Sequence, residues 1–255
     1  MSNFIWVRNP TAINGLATTY VSKRGSDVSG DGTAQNPYAS IAKATSVATA
    51  NTNIMLDDGE WDEARTANNR AFNWWGNAKT QLLSSMGNGQ SFHFLYLQNL
   101  EVGFNGSLKI YNCIGVITST QNILTMGLIE DSVFFLSNSN GWHNMTIRKS
   151  FIQTALYADL YGGCDFIDCI VLLYTCNTSH SRFRNCNFVN TQSFAQNSTK
   201  INCIDNSTTG QTLSDYFNYV HPNVLANPTT ASIDDWLQCD FTAKAGSANI
   251  GRGAK

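Results

Sequence analysis

A short phrase that returns along the chain limits its fold more than any other feature. It reads YNCIGV at 111–116, EDSVFF at 130–135, RKSFIQ at 148–153, IDCIVL at 167–172, RNCNFV at 184–189 and INCIDN at 201–206. Its central residue is always Cys or Ser, and successive centres are 19, 18, 19, 17 and 17 residues apart. Three residues earlier stand Ile110, Ile129, Ile147, Phe166 and Phe183, with Lys200 the break, where Ile201 offers a slip of one residue. Two residues later stand Gly115, Phe134, Ile152, Val171 and Phe188, with Asp205 closing the series. Apolar and polar residues alternating in short runs specify strands rather than helices. Strands this close together leave no room for the helical crossovers of an ordinary parallel sheet. The phrase therefore predicts a solenoid, each repeat one coil, with equivalent residues of successive coils about 4.8 Å apart.

Such stacking assigns roles by column. Cys113, Ser132, Ser150, Cys169, Cys186 and Cys203 form one inward ladder of small side chains, the thiols acting as compact hydrophobes. Just before them come Asn112, Asp131, Lys149, Asp168, Asn185 and Asn202. Asn and Asp tolerate the left-handed conformation of a sharp bend, and stacked Asn amides can hydrogen-bond along the axis. Lys149 falls between Asp131 and Asp168, and Arg148 beside Glu130. Half-exposed pairs of this kind contribute about 0.2–1 kcal/mol each. Just after the ladder come Ile114, Val133, Phe151, Ile170, Asn187 and Ile204. Strand alternation aims these outward, and an apolar column of that length requires a cover. The favoured cover is a neighbouring copy of the protein around a threefold axis, which makes Ile114, Val133, Phe151, Ile170 and Ile204 an interface stripe. The alternative cover is the chain's own tail, 211–255.

Charged residues make up only 13%, the net charge is −2 and the pI is near 6.0. There is no basic footprint for nucleic acid, no cationic cluster for a membrane surface, and no apolar run long enough to span a bilayer. Seven cysteines, with no tight pairs, fit reduced thiols better than a disulfide scaffold. Cys169, Cys176, His180 and Cys186 together have the composition of a zinc site. The repeat places Cys169 and Cys186 on one ladder and the other two elsewhere on the coil, so no metal is expected. Asp27 and Asp31, in SDVSGDGTAQNP, lack the closing acid of a calcium loop, and GNGQ at 87–90 is no phosphate loop.

The segment YVSKRGSDVSGDGTAQNPYASIAKA from Tyr20 resembles the leading segment of pectin-lyase-like parallel β-helix proteins. The matching residues are Tyr20, Val21, Ser22, Gly25, Asp27, Gly30, Gly32, Thr33, Pro37, Ser40, Ile41 and Ala44. DFTAKAGSANIGRG at 240–253 resembles the closing phrase of that family, with Ala248 in place of a usual Pro. The resemblance implies an all-β, single-stranded right-handed parallel β-helix with a short N-terminal capping helix near Ser40–Ala50. The expected organisation is an N-terminal arm at 1–18, then a leading strand, loop and capping helix at 19–50. Coils follow at 51–210, and a closing segment packing on the solenoid at 211–255.

Polysaccharide cleavage is the reaction most associated with this fold, and hydrolysis needs two carboxyl groups at a set separation. Glu130, Asp131, Asp159, Asp165 and Asp168 are the available acids, and Asp165 and Asp168 flank the inward Phe166. The bland reading makes them turn and surface acids with basic neighbours one coil away, Arg182 and Arg184 included. No residue merits a catalytic assignment, and no cofactor is implied. Trp61, Trp74, Trp75, Trp142, Tyr157, Tyr161 and Tyr174 are candidates for stacking on sugars.

The expected function is a structural or receptor-binding, glycan-binding component of a virus particle, such as a bacteriophage spike, fibre or capsid-decorating protein. Phe4, Ile5 and Trp6 would serve as an attachment arm. The expected partners are further copies of the chain, a trimer favoured, other virion proteins and a surface polysaccharide. MSNFIWVRNP lacks the features of a secretory signal, so a virion made in the host cytoplasm is the expected location. The alternatives are a polysaccharide lyase or hydrolase, or an exported adhesin at the cell surface.

Overall fold

The computed structural model describes residues 15–63, 70–76, 80–82, 90–93, 95–97, 108–117, 124–136, 142–154, 163–172, 181–189, 199–206, 213–227 and 230–244. They form an all-β parallel β-solenoid. A ten-stranded first sheet takes Thr18–Val21, Asn53–Leu56, Asn73–Trp75, Gln90–His93, Leu108–Tyr111, Leu124–Glu130, Trp142–Arg148, Asp165–Ile167, Arg182–Arg184 and Thr199–Ile201. A nine-stranded second sheet takes Gly59–Trp61, Thr80–Leu82, Tyr96–Leu97, Ile114–Ile117, Val133–Leu136, Phe151–Thr154, Ile170–Leu172, Asn187–Val189 and Ile204–Asn206. Each coil from Asn53 onward runs through the first sheet, bends, and runs through the second.

The bend explains the phrase. Asn112, Asp131, Lys149, Asp168, Asn185 and Asn202 all have positive φ, from 47 to 55°. Asn and Asp enter this region at least cost among residues with a side chain, whereas Lys149 meets the full penalty of about 1 kcal/mol or more. The side chains continue the register. Asn202 Nδ2 donates to Asn185 Oδ1 at 2.8 Å, and Asn185 Nδ2 to Asp168 Oδ1 at 2.9 Å. An ionised carboxylate only accepts, so this run of donors ends at Asp168.

The next residue turns inward and is buried: Cys113, Ser132, Ser150, Cys169 and Cys186 are all closed to solvent, and Cys203 partly so. These side chains do more than fill space. Ser132 Oγ donates to the Glu130 carbonyl and Ser150 Oγ to the Arg148 carbonyl, both at 2.7 Å. The thiols of Cys113, Cys169, Cys186 and Cys203 make the same contact two residues back, at 3.2–3.4 Å. Each hydroxyl also accepts from the coil before it: Cys113 N–H reaches Ser132 Oγ at 3.1 Å, and Ser132 N–H reaches Ser150 Oγ at 3.2 Å. These carbonyls also accept a backbone N–H of the preceding coil, Asn112 N–H reaching the Glu130 carbonyl at 3.1 Å and Asp131 N–H the Arg148 carbonyl at 3.2 Å, so the side-chain donor occupies the second lone pair.

The core lies between the sheets. Ile110, Ile129, Ile147, Phe166 and Phe183 face Phe134, Ile152, Val171 and Phe188 in one cluster, with Phe166 and Phe183 stacked at 4.7 Å. At the last coil Phe183 pairs in register with Lys200, without the slip that Ile201 offered. The Lys200 ammonium lies 4.9 Å from the centre of the Phe188 ring. At the other end the helix Ile41–Val47 places Ile41 and Ala44 in the same cluster, with the Ser40 hydroxyl accepting from Lys43 N–H. Before it, Gly32 takes φ +80° with the Tyr38 ring where a Cβ would sit.

The column behind the ladder corrects one expectation. Val133, Phe151, Ile170 and Asn187 are fully buried within the single chain, and Ile114 is 8% exposed. They stand apart from the coil interior. The Phe151 ring meets Phe217 edge-on at 5.7 Å. Phe217 opens a strand, Phe217–Tyr219, that pairs antiparallel with Asp240–Ala243. Of three short helices, Leu213–Tyr216 leads into this pair, and Pro222–Ala226 and Ile233–Leu237 lie between its two strands in sequence. The stripe expected to meet another subunit is thus already buried, and at Phe151 the cover is the chain's own C-terminal segment. The side chain of Ile204 lies outside the described residues, as do Phe4, Ile5 and Trp6.

Candidate functional site

The outer face of the first sheet carries the most varied chemistry. Strand register aligns two outward columns along the axis. One runs Tyr20, Met55, Trp75, His93, Tyr111, Glu130, Arg148, Ile167, Arg184 and Ile201. The other includes Lys109, Leu128, Thr146, Asp165, Arg182 and Thr199.

In the first column the rings stack. Trp75 and His93 lie 4.0 Å apart and 5° from parallel, and His93 and Tyr111 lie 4.8 Å apart at 11°. The coil spacing of a parallel sheet is close to ring-stacking distance, so identical register makes offset aromatic stacking nearly automatic. Trp75 Nε1 donates to Asn53 Oδ1 at 3.1 Å, which orients the first ring. Burial pushes the His93 imidazole down to about 4, so it is neutral at physiological pH. Burial, and then the Glu130 carboxylate, push the Tyr111 phenol above its ordinary value, with Arg148 opposing. Beyond Tyr111 the column becomes ionic, Arg148 Nη2 meeting Glu130 Oε2 at 3.2 Å. Alongside, Arg182 grips Asp165 with Nε and Nη2 at 2.6 and 2.7 Å, a bidentate pair.

Asp165 and Asp168, the sequence candidates for a catalytic pair, are thus each engaged. Asp165 holds Arg182 on the sheet face, and Asp168 sits at the bend receiving the Asn185 amide. Glycoside hydrolysis requires a carboxyl free to donate to the leaving oxygen, and both oxygens of Asp165 are taken up by Arg182. Of the aromatic candidates, Trp61 and Trp74 are interior residues. The Trp61 indole donates to the Asp57 carbonyl and the Trp74 indole to Gln90 Oε1. Trp75 belongs to the first-sheet column and is itself buried, 2% exposed. The Trp142 side chain, Tyr157, Tyr161 and Tyr174 lie outside the described residues. His93 and Tyr111 were missed by sequence reasoning. The signal for Tyr111 was its place two residues before Cys113, shared with Glu130 and Arg148.

Among the described residues no group of three or more His, Cys, Asp or Glu is placed to hold a metal, and Cys176 and His180 lie outside them. The hydrogen bond with the Cys169 thiol, and burial behind it, push the Cys186 thiol above its usual range. Burial takes the Cys164 thiol up to about 11. Nucleophilic attack needs thiolate, a form that the burial of these two thiols disfavours. Asp27, in the leading loop, is also engaged: it accepts from the Ser40 hydroxyl at 2.6 Å and from the Ala39 and Ser40 amides.

No family model matches the chain, and no curated protein matches it. A solved structure described as a rhamnogalacturonan lyase is similar at 12% identity and a TM-score of 0.30. The match covers 76% of this chain and 59% of that one. The class that fold and face together define is a parallel β-solenoid with an aromatic and ion-paired outer sheet.

Proposed function

We propose that the protein is a support and recognition solenoid of a virus particle, a bacteriophage spike, fibre or capsid-decorating protein, whose first-sheet face meets a glycan. The observation that carries the recognition part is the column from His93 and Tyr111 to the Glu130–Arg148 pair, backed by the buried Trp75 ring. The rings spend their faces on one another along the axis, so the column offers outward the edges of His93 and Tyr111 with the Tyr111 hydroxyl, and charges fixed by partners one coil away present hydroxyl-binding groups without rearrangement. That the acids of this face serve as ion-pair partners favours binding over turnover. Assembly into a homo-oligomer belongs to the same proposal, through surfaces other than the covered column.

The test is a titration of the protein with a panel of bacterial surface polysaccharides, together with light scattering for the assembly. Binding lost about tenfold in Tyr111→Ala, one hydrogen bond being of that order, supports the recognition face. Release of reducing or unsaturated sugar ends from any panel member, abolished in Asp165→Asn, replaces the proposal with an enzyme.

A further inference from the structure

The C-terminal segment contains a contact in which one nitrogen faces two incompatible partners. His221 stands at the start of the helix Pro222–Ala226, where its Nδ1 accepts the Asn223 amide N–H at 3.3 Å. The same Nδ1 lies 3.2 Å from Asp235 Oδ1, on the helix Ile233–Leu237. An unprotonated Nδ1 can accept from the amide and has nothing to offer the carboxylate. A protonated Nδ1 can donate to the carboxylate and loses the amide. Both side chains are partly buried, 19% and 15% exposed.

The surroundings hold this choice in place. Asp235 Oδ2 accepts the Ser232 amide and hydroxyl at 2.9 and 2.8 Å, and Oδ1 accepts Asn223 Nδ2 at 3.1 Å. The Ser232 amide and hydroxyl hold Asp235 below the usual carboxylate range against slight desolvation, with Asn223 and His221 adding to them. The carboxylate is therefore charged throughout the range in which an imidazole titrates. The His221 backbone N–H donates to Cys239 Sγ at 3.2 Å, and that thiol, raised by burial, stays neutral. The Tyr219 ring stands edge-on at 6.5 Å. Asp240 on the paired strand accepts from Asn218 Nδ2 at 3.3 Å, and Asp234 is exposed.

We propose that His221 is a proton-operated latch, in which Nδ1 exchanges the Asn223 amide for the Asp235 carboxylate as the pH falls. In neutral solution the imidazole caps one helix. In acid it adds a second tie beside the Asn223–Asp235 bond that already joins that helix to the next, within the segment whose Phe217 covers Phe151 on the second sheet. The device thus places a change of environment next to the cover of the solenoid.

Nuclear magnetic resonance of the full chain reads the latch directly. The nitrogen-15 shift of His221 Nδ1 should be that of an unprotonated ring nitrogen near pH 8 and of a protonated one near pH 5. Over the same range, after correction for intrinsic exchange, protection of the Asn223 amide should fall about tenfold, the loss of one hydrogen bond. In His221→Asn the carboxamide oxygen caps at every pH, and the protection should become independent of pH. A proton on Nδ1 near pH 8 overturns the proposal. So does wild-type protection that ignores pH, or a pH dependence that survives in His221→Asn.

Discussion

The two outer faces of the solenoid are built by the same alternation at the same coil spacing, and they end differently. Behind the ladder, the second sheet carries Ile114, Val133, Phe151 and Ile170, which are buried with Phe217 lying on Phe151. Ahead of the bend, the first sheet carries Tyr111, Glu130, Arg148, Ile167 and Arg184, all at least partly exposed. Backbone geometry therefore does not decide which face is covered. The side chain at one position per coil decides it, since an aliphatic column gains about 25 cal/mol for each Å² removed from water. A column of paired charges gains little from the same burial.

The sharpest break in the comparison is a pair of equal substitutions. Phe151→Asp buries an unpaired charge against Val133, Ile170 and Phe217, and should cost about 4 kcal/mol or more, enough to prevent folding of a marginal domain. Tyr111→Asp changes the other face and loses chiefly the stack on His93, about 1–2 kcal/mol. Urea unfolding of both variants checks this, and equal costs would remove the distinction between the faces.

The aromatic part of the first-sheet column is largely buried and carries its own pH signature. The folded state holds His93 at about 4, while an unfolded imidazole titrates near 6.5. Between these values the unfolded chain binds the proton that the folded chain refuses, so stability rises with pH there. It should be complete above about pH 6.5 and fall by up to about 3 kcal/mol as the pH drops towards 4. Unfolding at successive pH values measures the loss, and His93→Phe should flatten the curve across this window. The smallest effect belongs to the ionic end. Glu130→Gln should cost about 0.2–1 kcal/mol, less in high salt, because the pair is partly exposed. A larger loss in urea would mean that this end of the column resembles the covered face.

Sequence reasoning reached the bends and the ladder because both repeat at single-residue precision. Asn112, Asp131, Asp168, Asn185 and Asn202 are residue types that a positive φ demands, so local chemistry and periodicity agree. The hydrogen-bonding task of the ladder was less legible, since thiol and hydroxyl also read as small fillers. The cover on Phe151 was legible only as the less favoured alternative, the tail at 211–255, and not to the residue. Phe217 belongs to no repeat, and one long-range contact leaves no period behind. The ring column was hidden for a different reason. Leu95 takes the place of Cys or Ser in the coil of His93, so the phrase was not visible there and His93, which joins the candidate Trp75 to Tyr111 of the phrase, did not stand out.

Lys200 gives the repeat a direction of growth. Between Cys169 and Cys186 each coil sees nearly the same neighbour above and below, so a further 17-residue unit inserted there would find its carbonyls, bends and interior already matched. After Lys200 the template is gone, because an ammonium occupies the slot that the next coil would need to be apolar. The molecule can lengthen from within, while its last coil writes the stop.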